Sequence, residues 1–469
     1  MKISTSKPLK ASHWMKETSY MTDKIEVLDK KIEADIVIIG GGFVGLWTAI
    51  TIKEQAPDVK VAVIEQDVCG GGASGRNGGF VMSWWPKISS LQSFCTKEEA
   101  LFLAKSAEKS IYELGDFCRT NNIDAHFLQK GWIWTATTEA HIDSWATTIA
   151  ACEKLGVRPF EVLSREDVMR RTGSPVHLAG VYEKSNATVQ PALLVRGMRS
   201  VALSKGVEIF EKSPVINIEP GSIVKVETVA GYIKAKQVVL ATNAWATCIN
   251  QISKLIVPVN SSVVVTDNIG AQLEKNGWTG GESITDSQLL VNYYRTTRDK
   301  RIAFGKGTGA LSFGSKINDV FSYDEGSVEL TKQDFRSNYP DLKDVKIQDA
   351  WSGPIDRTYD SLPIFGQLTG HENIHYGLGW SGNGVGVSRL GGRVLASLAL
   401  GSNDKWSNCA LINRKVRHFP PEPFRYIGGN LVRNAVIRKE SKEMVGEKPY
   451  FVDVALAKFA PAGLEDKSN

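Results

Sequence analysis

The sequence has few of the residues that build metal sites and disulfide frameworks. Its six cysteines are scattered without a CxxC pair, and no HExxH motif accompanies the seven histidines. These absences exclude a disulfide-stapled fold and a zinc site, and they favour a reducing compartment. No run of about 18 apolar residues is present, so the sequence predicts no membrane span. Residues 1–31 lack the apolar segment of a signal peptide, and we expect a cytoplasmic protein.

The sequence also has little net charge. Fifty-six basic and 51 acidic residues leave +5, and residues 411–450 alone supply that surplus, with nine basic and four acidic side chains. A nucleic-acid binder usually carries more basic residues along one face, so nucleic acid is not an expected partner. The 469 residues, of which 42% are hydrophobic, are enough for two or three domains with large cores.

The first informative segment joins an apolar run to a cluster of glycines. Residues 34–39 (ADIVII) predict a buried strand, residues 46–55 a helix and residues 59–65 a second strand. Between the first strand and the helix lies GGGFVG, in which Gly40 permits a tight turn, Gly42 lets a pyrophosphate approach the backbone and Gly45 lets the helix pack closely. Glu65 ends the second strand, where a carboxylate accepts ribose hydroxyls and repels a 2′-phosphate. The pattern predicts FAD or NAD rather than NADP.

A second glycine-rich segment favours FAD. Residues 68–79 contain six glycines, which suits a backbone laid against a long, flat ligand. Ser74 is a candidate for the pyrophosphate oxygens, and Arg76 and Asn77 supply donors further along the ligand. A flexible loop remains the alternative.

These two segments, residues 34–65 and the GASGRNGG run at 72–79, resemble the FAD-dependent amine and amino-acid oxidoreductases of the D-amino-acid oxidase, glycine oxidase and sarcosine oxidase superfamily. The pattern is most similar to the branch of γ-glutamylputrescine oxidase and the aminophosphonate oxidoreductases. That branch has the same SGRNGG run and an aromatic pair before the first strand, which corresponds here to His13-Trp14 and Ser19-Tyr20.

The resemblance implies a mixed α/β (α+β) fold. A glutathione-reductase-like FAD-binding domain is expected from the discontinuous segments 1–95, 178–250 and 346–410. Residues 96–177 and 251–345 are expected to form an antiparallel β-sheet substrate domain, and residues 411–469 a basic C-terminal strap or tail.

The resemblance also implies the cofactor contacts. They are expected, in chain order, at Gly40, Gly42, Phe43, Val44, Gly45, Glu65, Gln66, Gly72, Ala73, Ser74, Arg76, Asn77, Gly78, Gly79, Val215, Ala241, Thr242, Gly353, Gly379, Ser381, Gly382, Asn383, Gly384 and Val385. The last of these residues overlap a second formal GxGxxG, Gly377 to Gly382, but no strand ending in an acid follows it. We interpret it as a loop that directs N–H groups at the pyrimidine edge of the flavin. Sarcosine-oxidase relatives attach their flavin through a cysteine in the stretch that corresponds to residues 350–358, and some dehydrogenase relatives through a histidine in the loop that corresponds to residues 72–79. This sequence has neither, so the resemblance implies non-covalent FAD.

The chemistry implied by the resemblance is oxidation of a carbon–nitrogen bond. Hydride passes to flavin N5, water hydrolyses the imine, and oxygen or another acceptor reoxidises the flavin. The expected substrate is a small amine with an anionic group, such as an aminophosphonate, an amino acid or a γ-glutamyl amine.

Four residues are candidates for the reaction itself. Tyr294, Arg295 and Arg357 are candidates for binding the anionic end of the substrate, and Lys306 for promoting reaction with oxygen. The alternatives are structural salt bridges for the arginines and an exposed strand end for Lys306. The oxidases of the family place a lysine just after the terminal glycine loop, whereas here Arg389 is the first basic residue after it. Oxidase and dehydrogenase therefore both remain open. An NAD-dependent dehydrogenase and a non-catalytic flavin-binding subunit of a larger amine dehydrogenase are the rival interpretations.

Overall fold

The computed structural model describes residues 1–19, 21 and 24–463. Tyr20, half of the predicted Ser19-Tyr20 pair, and residues 464–469 of the predicted tail lie outside the described residues.

The described part of the chain alternates between strands and helices. The strands are β1 (Lys31–Ile39), β2 (Val61–Ile64), β3 (Phe80–Val81), β4 (Trp132–Ala136), β5 (Phe160–Leu163), β6 (Ala179–Glu183), β7 (Ala187–Thr188), β8 (Glu208–Phe210), β9 (Val215–Glu219), β10 (Val224–Thr228), β11 (Tyr232–Leu240), β12 (Val257–Thr266), β13 (Ser283–Thr285), β14 (Asn292–Thr296), β15 (Ile302–Lys306), β16 (Ile347–Arg357), β17 (Ile364–Leu368) and β18 (His371–Leu378). The helices are α1 (His13–Glu17), α2 (Phe43–Gln55), α3 (Ile88–Gln92), α4 (Lys97–Thr120), α5 (Ala146–Lys154), α6 (Arg165–Thr172), α7 (Pro191–Ser204), α8 (Gly270–Lys275), α9 (Glu325–Asn338), α10 (Ser388–Leu400), α11 (Phe424–Met444) and α12 (Phe451–Ala457).

The first sheet is built around β1, whose apolar second half is buried on both faces. Its strand order is β17-β18-β11-β1-β2-β8, and the β9–β10 hairpin is attached through β11. The pairs from β18 to β8 are parallel, whereas β17 runs antiparallel to β18. Helices α2, α7 and α10 contribute to one hydrophobic core with the sheet. The strand–helix–strand unit predicted for residues 34–65 therefore forms the centre of this sheet as β1, α2 and β2.

The second sheet has the order β16-β12-β15-β14-β13-β4-β6-β5. Its pairs are antiparallel except for β13 with β4. Helix α9 packs its apolar side chains, among them Val328 and Phe335, against Ile302 and Phe304 of β15 in one core.

The sheet membership of several segments departs from the expected domain boundaries. Strands β6 and β16 fall in segments that the sequence assigns to the FAD-binding domain, yet both pair in the second sheet. The reason for β16 is its long antiparallel pairing with β12, from Val257↔Arg357 to Thr266↔Ile347. Helix α4, expected in the substrate domain, buries Leu103 and Ile111 in the core of the first sheet. The expected boundaries came from a resemblance between sequences, which does not specify the sheet edge with which each strand pairs.

The C-terminal helices α11 and α12 pack against each other. An ion pair of 2.6 Å between Arg438 Nη2 and Asp453 Oδ1 joins the two helices. Glu440 Oε1 of α11 accepts the backbone N–H groups of Leu289 (2.5 Å) and Leu290 (3.1 Å) and so ties the helix to the second sheet. Among the helices of the described residues, none combines the length and apolar character needed to cross a bilayer.

Candidate active site

A cavity of about 730 Å³ lies between the two sheets and beneath the C-terminal helices. Its walls include the carboxyl ends of β1 and β2, the loop after β2, the inner face of the second sheet and part of α11. Glu65 and Gly382, which are more than 300 positions apart, line this same cavity. The separate glycine-rich segments of the sequence therefore meet at one site.

Most of the predicted site residues line this cavity. They are Gly40, Gly42, Phe43, Val44, Glu65, Gln66, Gly72, Ala73, Ser74, Arg76, Asn77, Gly78, Val215, Ala241, Thr242, Gly353, Arg357, Ser381, Gly382, Asn383, Gly384 and Val385. The predicted residues outside this lining are Gly45, Gly79, Gly379, Tyr294, Arg295 and Lys306.

The turn from β1 into α2 has the geometry of an anion-binding helix start. Gly40 has a φ of +116°, a conformation that other residues rarely adopt. Gly45 is excluded from the cavity wall because it faces the strand, and a Cβ there would lie 1.9 Å from the carbonyl oxygen of Gly40. The backbone N–H of Phe43, in the first turn of α2, donates to Ser74 Oγ at 2.9 Å. A pyrophosphate fits here because free helix N–H groups and the helix dipole favour an anion.

Glu65, at the carboxyl end of β2, lines the cavity beside the β1–α2 turn. Its carboxylate accepts the N–H of Gly41 at 2.8 Å and that of Asp67 at 2.9 Å. Burial raises the pKa of Glu65 to about 7, although these two N–H groups act to lower it. Both ribose hydroxyls of an adenosine would be donors to this carboxylate.

Arg76 and Asn77 have a different role from the one predicted. Arg76 donates to the carbonyl oxygens of Ser352 (2.7 Å), Ser322 (3.0 Å) and Lys10. The Asn77 amide donates to the carbonyl of Ser74 at 2.9 Å and accepts the N–H of Gly79 at 2.8 Å. These side chains line the cavity, but their hydrogen bonds hold the loop in place instead of extending towards a ligand.

The terminal glycine loop is held by a residue that the sequence analysis missed. Asp356, at the end of β16, accepts the N–H groups of Gly379 (2.6 Å) and Trp380 (3.0 Å), and burial raises its pKa to about 7. Gly379 has a φ of +87° and faces Thr358, which explains its absence from the cavity wall. Asn383 also lines the cavity, and its side-chain amide donates to the carbonyl oxygen of Ser83 at 3.2 Å.

Comparisons with known proteins agree with a dinucleotide site in this cavity. The sequence model of the DAO family, described as FAD dependent oxidoreductase, matches residues 35–398. The chain belongs to the DAO family. As in its relatives, FAD is the cofactor, which the glycine turn, the helix start and Glu65 fit, and the protein is an enzyme that oxidises amines or amino acids at a carbon–nitrogen bond. This membership sets aside the NAD-dependent and non-catalytic interpretations.

Several DAO-family relatives cover most of the chain. The gamma-glutamylputrescine oxidoreductase of Escherichia coli (strain K12) is 27% identical over 416 residues, which are 87% of this chain and 91% of that protein. The glycine oxidase of Geobacillus kaustophilus (strain HTA426) is 24% identical over 412 residues, 84% of this chain and 97% of the relative. The crystal structure of glycine oxidase from Geobacillus kaustophilus superposes with a TM-score of 0.65 and 20% identity, over 80% of this chain and 96% of that one. These matches confirm the predicted family and fold.

Three of the four predicted reaction residues are buried outside the cavity lining, and Tyr294 and Lys306 are the first two. Tyr294 is fully buried in the core beneath α9, and its hydroxyl is 2.5 Å from His177 Nε2. Lys306 is neither beside the cavity nor exposed: it forms a 2.7 Å ion pair with Asp334 and donates to the carbonyl of Leu290 at 2.9 Å. Neither residue lines the cavity, because helix α9 covers Tyr294 and supplies the Asp334 that pairs with Lys306.

Arg295 is a framework residue. Its guanidinium donates to the carbonyl oxygens of Gly78 (2.8 Å) and Val189 (2.7 Å), and it lies over the ring of Trp14. The N–H groups predicted to bind a substrate anion are therefore used to fix the loop of Gly78 and Gly79. Gly79 (φ +77°) lacks room for a Cβ, which would lie 2.0 Å from the carbonyl oxygen of Val189.

Tyr293, the residue before Tyr294, lies at the cavity where Tyr294 was expected. Tyr293 lines the cavity, and its hydroxyl is 2.8 Å from Ser261 Oγ. Its ring fills the space left by Gly305 on the adjacent strand, where a Cβ would lie 2.1 Å from the ring. A glycine inside a strand often marks the close approach of another group. Gly305 is therefore the feature of the sequence from which the position of the Tyr293 ring could have been predicted.

Arg357 is the predicted reaction residue that does line the cavity. Its guanidinium donates to the carbonyl oxygen of Ala462 at 2.8 Å, and burial lowers its pKa to about 10. Lys87 and Ser361 lie on the same wall of the cavity. The sequence did not predict them as site residues, because nothing in the sequence around them relates them to Arg357.

Proposed function

We propose that the enzyme oxidises a small amine that carries a carboxylate or phosphonate, and that Arg357 binds this anionic group. The observation that supports this proposal is the environment of the Arg357 guanidinium. It faces the cavity, and among the described residues no carboxylate forms an ion pair with it. Asp360, three positions further along the chain, pairs with Arg414 instead. A buried guanidinium without a counter-ion is costly, and a charged ligand offsets that cost through charge-assisted hydrogen bonds.

The surrounding wall supports oxidation of an uncharged amine. Leu289, Leu290, Val291 and Tyr293 present apolar surface to the cavity. Such a wall disfavours the ammonium form by desolvation, and an amine must be neutral before it releases hydride. Bound FAD would accept that hydride, while the residues of this chain orient the substrate and exclude water.

We propose that FAD is held non-covalently. Cys69, beside the glycine loop, is fully buried, and burial together with the nearby Glu211 raises the pKa of its thiol well above the ordinary value. The thiolate needed for attachment is therefore disfavoured. Release of intact FAD into the supernatant after acid precipitation would support this proposal, and a flavin that stays with the pellet would contradict it.

The substrate proposal is tested with matched pairs of amines. Anaerobic bleaching of the holoenzyme is measured for glycine against methylamine, 2-aminoethylphosphonate against ethylamine, and γ-glutamylputrescine against putrescine. We expect the anionic member of at least one pair to bleach the flavin and its neutral partner to be far slower. Repeating the reaction in air with peroxide detection distinguishes an oxidase from a dehydrogenase.

Arg357→Met removes the charge and keeps much of the side-chain bulk. For the anionic amine we expect KM to rise at least about tenfold, as loss of a charge-assisted hydrogen bond predicts, while flavin content stays unchanged. Arg298→Met is the matched control, because Arg298 pairs with Asp124 on the surface. Equal effects of Arg357→Met on the anionic and neutral amines would contradict the proposal.

A further inference from the structure

The last described residues of the chain, 459–463, lie against the wall that carries Arg357. Tyr359 holds this segment at two points: its hydroxyl donates to the carbonyl of Phe459 at 2.8 Å, and its own carbonyl accepts the N–H of Ala462 at 2.9 Å. The segment follows α12 and has no regular secondary structure. It also lies beyond residues 35–398, which the family model matches.

Two peptide oxygens of this segment receive three donors from the cavity wall. Ala462 O accepts from Arg357 Nη2 at 2.8 Å and from Ser361 Oγ at 2.6 Å. Gly463 O accepts from Lys87 Nζ at 2.6 Å. Two cationic groups and a hydroxyl thus converge on neighbouring carbonyl oxygens, an arrangement that matches the oxygens of a carboxylate or phosphonate.

A peptide carbonyl is a weaker partner for this donor set than an oxyanion. Hydrogen bonds from a cation to an anionic oxygen are roughly twice as strong as those between neutral groups. Because the donors are shielded from bulk water, an incoming carboxylate or phosphonate gains more from them than the carbonyls of Ala462 and Gly463 do.

We propose that Arg357, Ser361 and Lys87 form one oxyanion subsite, and that residues 459–463 occupy it until the anionic group of the substrate displaces them. This inference rests on the proposed function for the identity of the substrate. It makes the C-terminal segment a specificity element: an amine without an anionic group cannot compete with the carbonyls and leaves the segment in place.

The contacts that hold α11 and α12 in place indicate where displacement of residues 459–463 would begin. Helices α11 and α12 stay joined through Arg438 and Asp453, and Glu440 fixes α11 to the loop of Leu289. Beyond Ala457, where α12 ends, Lys458 and Phe459 are exposed. Displacement therefore needs only the segment after α12 to leave the wall.

The first test weakens the anchor without touching the three donors. In Tyr359→Phe the hydrogen bond to Phe459 is lost, while the backbone bond to Ala462 is kept. Methylphosphonate and acetate are titrated into the holoenzyme, and binding is followed by the change in the visible flavin spectrum. We expect methylphosphonate to bind roughly two- to tenfold more tightly, as loss of one hydrogen bond from the competing state predicts. Tyr182→Phe is the matched control, because its hydroxyl donates to the carbonyl of Lys130 on the exposed surface, and we expect no change.

The second test removes the competitor. A chain that ends at Phe459 should bind methylphosphonate more tightly than Tyr359→Phe does, and adding Arg357→Met to that chain should abolish the gain. Saturating methylphosphonate should also accelerate tryptic cleavage after Lys458 in the full-length chain, because ligand binding and release of the segment are linked.

The outcomes separate this inference from the proposed function. Unchanged anion affinity in both Tyr359→Phe and the shortened chain would overturn the inference, even if anionic amines bleach the flavin. Tighter anion binding in both, with no anionic amine bleaching the flavin, would support the subsite and overturn the proposed substrate class.

Discussion

Three buried arginines show how much a residue's role depends on what its guanidinium faces. Arg76 and Arg295 donate to backbone carbonyls, and so fix the loop beside the cradle. Arg357 meets a single carbonyl, that of Ala462, at the cavity wall. In sequence all three are arginines close to glycine-rich or aromatic runs. Burial lowers the pKa of each to about 10, so the difference lies in hydrogen-bond partners and not in ionisation.

Arg295→Met should reduce stability without changing substrate binding. The substitution leaves the carbonyls of Gly78 and Val189 unpaired, at a cost of about 1–3 kcal/mol for each buried group. We expect a lower thermal midpoint and less bound flavin, with the KM of the flavin-loaded fraction unchanged. A raised KM at full flavin content would restore Arg295 as a substrate-binding residue.

The affinity for FAD should depend on pH through Glu65. We expect the ionised carboxylate to accept the ribose hydroxyls of FAD, so that binding favours the charged form of a group whose pKa burial raises to about 7. Affinity is therefore expected to be full above pH 7 and to weaken as the pH falls through 7, by at most about tenfold per pH unit for one linked proton. Fluorescence titration of the apoprotein with FAD measures this dependence. In Glu65→Gln the affinity at pH 8 should be lower and the pH dependence absent; an equal dependence in the variant would assign it to another group.

At the scale of elements, the cradle depends on how closely α2 approaches β1. A Cβ on Gly45 would lie 1.9 Å from the carbonyl oxygen of Gly40, so any side chain separates the helix from the strand and moves the N–H groups at its start. Asp356 acts in the same way at the opposite wall, where it fixes the terminal glycine loop through two backbone N–H groups. Both walls of the site are thus positioned by contacts between elements.

Gly45→Ala should weaken FAD binding by more than about tenfold, because displacement of α2 disrupts several hydrogen bonds to the pyrophosphate. Gly326→Ala in α9 is the control: its Cβ meets only Asp324 Oδ2, at 3.9 Å, and its φ is ordinary. That substitution should be neutral or should stabilise by up to about 1 kcal/mol. Flavin content and thermal midpoint are measured for both, and equal flavin content would contradict the packing argument.

At the scale of the whole molecule, one cavity joins the two sheets and the C-terminal helices. A ligand that fills it contacts all three parts and stabilises the folded state by mass action. The C-terminal segment adds contacts of its own through Phe459, Ala462 and Gly463.

FAD should therefore raise the thermal midpoint of the apoprotein. At a free concentration of 100 times Kd the stabilisation is about 2.7 kcal/mol. FMN should stabilise less because it lacks the adenosine that we expect Glu65 to bind, and NADP should not stabilise at all because its 2′-phosphate would meet the same carboxylate. A shift with NADP equal to that with FAD would contradict the assignment of Glu65.

The local sequence determined the cofactor half of the site. The β1–α2 turn, Glu65 and the glycine loop are contiguous patterns that predict a dinucleotide and favour FAD without a tertiary contact. Their resemblance to known sequences indicated the family. The substrate half was decided by tertiary structure alone. Strand alternation placed Tyr293 and Tyr294 on opposite faces, but only the packing of α9 shows that Tyr294 is covered and Tyr293 faces the cavity. Long-range folding brings three residues together at the C-terminal segment, namely Lys87, Arg357 and Ser361. No periodic pattern in the local sequence predicts that these residues are close in space.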